Sequence, residues 1–245
     1  MLLCRTKPFC EDRPQRVYPA GVGHSLPVSI LRTIVVAVAL NATVGAFELT
    51  LSTRSMSEAI ALGLTRIERD RDRFQTPYRI QVGKAPVDWV DIVTPFRRVV
   101  LEAETQTQNG SRLFGQREAL AALRPDPERV TLVVELTFHP LNRFTRVPAY
   151  NVVLASPKGL DVPNVVPESI EYVPRFGPRI GTSLLPYPYA NSTTVSAGGQ
   201  PILGGVVVAG FAGASLAPNG VYDIVIRDDA QQELARTRVD FARLR

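Results

Sequence analysis

The sequence predicts a mainly β protein, an antiparallel β-sandwich of immunoglobulin-like general architecture with one N-terminal helix and one short helix. Three observations predict it. Segments of alternating apolar and polar residues recur along the chain, turn residues separate them at short intervals, and only one long segment carries helical apolar spacing. The alternating segments amount to roughly seven to nine strands, the turn-punctuated pattern of a sandwich.

Ahead of that domain stands Val28 to Ala46. Arg32 precedes an apolar run from Thr33 to Leu40, and the run ends in Val44-Gly45-Ala46, small residues at the positions a signal peptidase reads. Asn41 and Thr43 interrupt it well short of the roughly 18 apolar residues of a membrane span. Residues 28–46 are therefore expected to be a cleaved export signal. Residues 1–27 hold Cys4, Cys10 and scattered prolines and charges with no apolar periodicity, and are expected to be an untranslated or disordered extension. Residues 47–245 are then the mature β-rich domain, periplasmic or extracellular and without an integral membrane span.

Within 47–245 there is no cysteine, which excludes disulfides, thiol catalysis and thiolate metal ligation. The net charge of the whole chain is +5, but the first 46 residues carry five Lys/Arg against two Asp/Glu, so the domain itself is close to neutral. Its basic residues are interleaved with acids, and nucleic acid is excluded as a partner on that ground. The excess of Arg over Lys is attributed to a GC-rich bacterial genome.

Taken in order, Ser55-Met56-Ser57-Glu58 has the form of a capping box, and Met56, Ile60, Leu64 and Ile67 follow as one apolar stripe. A helix is expected from about Met56 to Asp72, its end dressed by alternating charges. From Tyr78 the period becomes two. Ile80 and Val82 open it, and Val99, Leu101 and Ala103 continue it as a strand with Arg98, Glu102 and Glu104 on the opposite face. Asn109-Gly110 signals a turn, and a short helix fits Gln116 to Leu123 before Pro125 and Pro127. Val130 to His139 is the clearest strand, with Val130, Leu132, Val134, Leu136 and Phe138 on the dry face and Thr131, Glu135, Thr137 and His139 on the wet one. Tyr150, Val152 and Leu154 make a short strand. The proline-rich stretch 161–189 offers only Ile170 to Val173 as another. Gly204 to Phe211, Val221 to Arg227 and Leu234 to Phe241 close the chain, with Pro218-Asn219-Gly220 turning the first into the second.

Parity fixes the last hairpin. Tyr222, Ile224 and Ile226 form an apolar face that must share its side with Ala235, Thr237, Val239 and Phe241. A four-residue loop, Asp229 to Gln232, then sets Ile224 opposite Thr237, Tyr222 opposite Val239, Asp223 opposite Arg238 and Val225 opposite Arg236.

No motif assigns a chemistry. Ser215 lies in a degenerate nucleophile elbow, but the only histidine after residue 46, His139, precedes it, and the reverse order would need an acid such as Asp161 with no oxyanion loop in support. Phosphate-cradling glycine motifs and acidic metal loops are absent from the sequence, so no cofactor and no metal are expected. Pro186-Tyr187-Pro188-Tyr189 presents two tyrosines on a polyproline-like ribbon suited to partner or carbohydrate contact. The expectation is an exported, non-enzymatic module for binding, envelope assembly or scaffolding, with an envelope protein or glycan as partner and Tyr187 and Tyr189 in contact with it. The alternative is an exported glycan-acting hydrolase using a carboxylate pair from Glu102, Glu104 and Glu135.

Overall fold

The computed structural model describes residues 47–110, 113–157, 163–177 and 202–245; the expected leader and extension, Asp161, and Tyr187 and Tyr189 lie outside them. Among the described residues eight strands form two antiparallel sheets. The first runs β1 (Arg79–Lys84), β2 (Val87–Val93), β3 (Arg129–Thr137), β6 (Gly204–Ala212), β5 (Ser169–Arg175) from edge to edge. The second is β4 (Asn151–Ala155), β7 (Val221–Arg227), β8 (Glu233–Asp240). The chain is thus mainly β, with two open antiparallel sheets. The α-helices among the described residues are α1 (Thr53–Gly63), α2 (Glu68–Gln75), α3 (Pro95–Gln108) and α4 (Gln116–Leu123), two more than the sequence predicts. No helix among the described residues is long and apolar enough to cross a membrane.

The alternation of β3 decides which face is which. Val130, Leu132, Val134 and Leu136 are fully buried and meet Tyr222, Ile224 and Ile226 of β7 in one core that both sheets share. Each such side chain contributes on the order of 1.5–3 kcal/mol by burial. The opposite face is not uniformly wet. Val133 is buried there, because Leu101 of α3 packs on it together with Val93 and Val206.

That contact corrects the strand expected at 98–104. Thr94 accepts a hydrogen bond from the Arg97 amide through Oγ1 at 3.2 Å and Pro95 occupies the first turn, so the chain enters a helix at this point. Phe96, Val99, Val100 and Ala103, spaced three, one and three, form the apolar stripe that packs on Met56, Ala59 and Ile60 of α1. Asn109 and Gly110, the latter at φ 77°, end α3 rather than turning a hairpin.

The long helix expected over 56–72 is two helices. The first begins earlier, capped by Ser52, whose Oγ accepts from the Ser55 amide at 3.1 Å, and stops at Gly63. Met56 and Ile60 are buried as the stripe requires, but Ile67 is 58% exposed and stands as the N-cap of α2. Six charged residues in a row, Glu68 to Arg73, then open a helix of their own with Glu68 and Asp70 in its first turn. α4 coincides with the expected Gln116 to Leu123.

The closing hairpin has the register that parity dictates. Tyr222 opposes Val239, Asp223 opposes Arg238, Ile224 opposes Thr237 and Val225 opposes Arg236. At the turn the ladder slips by one, Arg227 facing Glu233, with Gln231 at φ 63°. The extra residue is Leu234, a bulge that restores the predicted register. β6 and β7, joined through Pro218-Asn219-Gly220, belong to different sheets, so this turn is a crossover between sheets and not a hairpin.

Candidate functional site

Where β5 ends, the connection from β3 to β4 and the tip of the β7–β8 hairpin enclose a groove of about 660 Å³. Its lining includes Arg143, Phe144, Arg146, Tyr172, Pro174 and Asp229. The connection is a loop, and the sequence fixes it in four places. Asn142 donates through Nδ2 to the carbonyls of His139 (2.8 Å) and Ile202 (3.0 Å), and its Oδ1 accepts from the Phe144 amide at 2.8 Å. His139 Nδ1 accepts from the Leu141 amide at 3.1 Å. The Phe144 carbonyl accepts from the Ile202 amide at 2.9 Å. Val147 is buried against Gly205 of β6, where a methyl group would collide with its Cγ2.

The aromatic rings of the groove are held from behind. Phe144 packs edge-on against Phe138 with centroids 5.1 Å apart and remains 42% exposed on its outer side. Tyr172 donates its hydroxyl to the Tyr150 carbonyl at 3.0 Å, which fixes its ring on β5. Burial, followed by the Asp228 and Asp229 carboxylates, pushes the Tyr150 phenol up from its ordinary value, so it stays neutral. Arg143 and Arg146 are exposed and make no ion pair or hydrogen bond with another described residue. The groove therefore offers two uncommitted guanidinium forks, two rigid rings and one carboxylate. The signal was present in the sequence as Arg143-Phe144-Thr145-Arg146 between Pro140 and Pro148, two cations flanking an aromatic in a bounded loop. It carries no periodicity, and pattern reading passes over it.

The three carboxylates of the hydrolase alternative are not brought together. Residues two apart share a face on a strand but not on a helix, so the α3 helix separates Glu102 from Glu104. Glu102 accepts from Gln106 Nε2 at 2.9 Å and lines a cleft of about 320 Å³ with Leu113 and Glu118. Glu104 is buried and accepts from Arg71 Nη1 at 3.2 Å, its other oxygen unpartnered. Glu135 lies on β3 with Arg175 of β5 reaching to 3.4 Å. Arg175 reaches it across β6 because Gly204 has no side chain in its path. Ser215 and His139 lie beyond opposite ends of the β3–β6 ladder, which runs from Arg129 opposite Ala212 to Thr137 opposite Gly204, roughly 26 Å. Among the described residues no three His, Cys, Asp or Glu gather as a metal site would need.

Glu104 still makes a testable electrostatic statement. Burial pushes its carboxyl up, outweighing the opposing pull of Arg71 and Arg97. A folded-state pKa above the unfolded one means that the protonated form favours folding. This contribution is complete below the unfolded value near 4.5 and is lost as pH rises through the raised value. The Tm of the native chain should therefore fall relative to that of Glu104→Gln as pH rises from 4 toward neutrality. Parallel profiles would show that Glu104 is solvated.

A larger polar cluster lies beneath α3, and all of it but the unpartnered Gln75 Nε2 is hydrogen-bonded or paired. Arg97, fully buried, donates to Asp91 Oδ1 (3.1 Å), Gln75 Oε1 (2.8 Å) and the Ile92 carbonyl (2.8 Å) and stacks 5.1 Å from the Tyr78 ring. Arg79 closes on the other side of Asp91 at 2.6 Å and lies over Trp89. Tyr78 and Thr94 both donate to the Arg245 main-chain oxygen, at 3.0 and 2.6 Å, which pins the end of the last turn. With two guanidinium groups sharing the Asp91 carboxylate inside the protein, this cluster reads as a structural joint.

A comparison of the chain with protein-family models, curated proteins and solved structures found no match.

Proposed function

We propose that the chain is an exported, non-enzymatic module of immunoglobulin-like sandwich type that binds an envelope protein or glycan. The observation that carries the reading is the groove, whose loop is fixed through Asn142, His139, Phe144 and Val147 and presents two guanidinium groups that pair with no other described residue beside two rings held from behind. A loop backbone and rings already fixed by internal contacts lose little ordering entropy on association. Export rests on the Arg32 to Ala46 pattern. Tyr187 and Tyr189, which lie outside the described residues, belong to the same proposal as partner contacts on their sequence alone.

Two measurements test this. Intact-mass analysis of protein from its native source should place the mature N-terminus at or near Phe47; recovery of cytosolic chain beginning at Met1 contradicts export. A photo-crosslinking residue in place of Thr145, compared with one in place of the exposed Leu120 on α4, should capture a defined envelope component from the first position only. Equal capture from both, or none from Thr145, contradicts the groove as binding surface.

A further inference from the structure

We infer that the groove takes a carboxylate-bearing saccharide, an inference that rests on the binding reading above and names its ligand class. Two guanidinium groups three residues apart, neither paired with another described residue, suit a planar carboxylate, which an arginine fork holds through two parallel hydrogen bonds. Charge alone would suit any anion, but three further features narrow the choice. The exposed side of Phe144, the fixed ring of Tyr172 and the flat faces of Pro148 and Pro174 form an apolar floor against which a sugar ring can lie. Asp229, on the hairpin tip across from the arginines, accepts hydrogen bonds and supplies none, as a hydroxyl-rich ligand requires. Its negative charge also repels a densely anionic chain such as a polyphosphate, leaving a ligand with one carboxylate per ring and hydroxyls elsewhere. Finally, a volume of about 660 Å³ lies within the range of roughly 300–1,000 Å³ typical of small-ligand sites.

The division of labour follows. Arg143 and Arg146 hold the carboxylate, Phe144 and Tyr172 the ring face, and Asp229 a hydroxyl. No bond is made or broken.

The test is calorimetric titration of the mature chain with trigalacturonic acid, with maltotriose as neutral analogue and hexaglutamate as acidic peptide. Trigalacturonic acid should bind saturably and lose affinity as salt is raised, while maltotriose should not bind. Arg146→Ala should weaken binding by about ten- to a hundredfold, as expected for loss of a charged hydrogen bond. Phe144→Ala should weaken it without changing the salt dependence, and Arg117→Ala on α4 should leave it as it was. Absence of saturable binding overturns the saccharide assignment, and hexaglutamate binding as tightly as the saccharide replaces it with an acidic peptide. The binding reading itself fails only if crosslinking from Thr145 also fails, so the two failures are distinguishable.

Discussion

Asp91→Ala is expected to destabilise the protein by about 3–5 kcal/mol, the cost of leaving one partner of a buried ion pair without its counter-charge. Asp91 stands between Arg79 and Arg97, and Arg97 has no contact with solvent. Burial lowers the Arg97 pKa while the Asp91 carboxylate acts most strongly to raise it, so removing that carboxylate leaves a guanidinium with Gln75, a carbonyl and the Tyr78 ring but no counter-charge in the core. Denaturant unfolding measures the loss. Arg54→Ala is the comparison, since Arg54 pairs with Glu58 at 3.1 Å while itself 89% exposed, and exposed pairs contribute about 0–1 kcal/mol. Similar midpoints for the two variants would mean that water reaches Arg97.

Gly63→Ala is expected to destabilise by about 1–3 kcal/mol, the range for overpacking a close contact. The sign is what matters. Within a helix alanine is favoured over glycine by about 1 kcal/mol, so local propensity predicts stabilisation. A Cβ at Gly63 would, however, meet the Val100 carbonyl and lie 2.6 Å from the Ala103 Cβ, both on α3. These are atoms that cannot swing aside without moving the helix. A rise in Tm on Gly63→Ala would show that α1 and α3 are not in this close contact.

Those helices also show where sequence reading reaches its limit. In the closing hairpin Tyr222, Ile224 and Ile226 lie in the core with Ala235 and Val239, so side-chain parity admits only registers of odd sum, loop length chose among them, and the observed pairs from Tyr222 to Val225 are the deduced ones. At 98–104 the same reasoning misleads, because Val99, Leu101 and Ala103 alternate with Arg98, Glu102 and Glu104 although the segment is helical. Val100 and Phe96 break the alternation, and the Thr94-Pro95 cap was the local feature that outweighed it. The same misreading makes Glu102 and Glu104 look like a pair. β2 escaped the reading for the opposite reason. Val90 and Ile92 are buried in the core, and Val93 is buried on the other face under α3, so its apolar residues do not simply alternate. The groove was illegible because loops carry no periodicity, and its shape depends on the distant pairing of Ile202 with Phe144.

The groove is the centre of this account, and the most direct test combines its two arginines with the crosslinker at Thr145. Arg143→Ala together with Arg146→Ala removes exposed side chains that pair with no other described residue, so stability should change by no more than about 0.5 kcal/mol. In the native envelope the account predicts that this double variant, folded as well as its parent, loses the adduct formed from Thr145. Undiminished crosslinking by the folded double variant would contradict it.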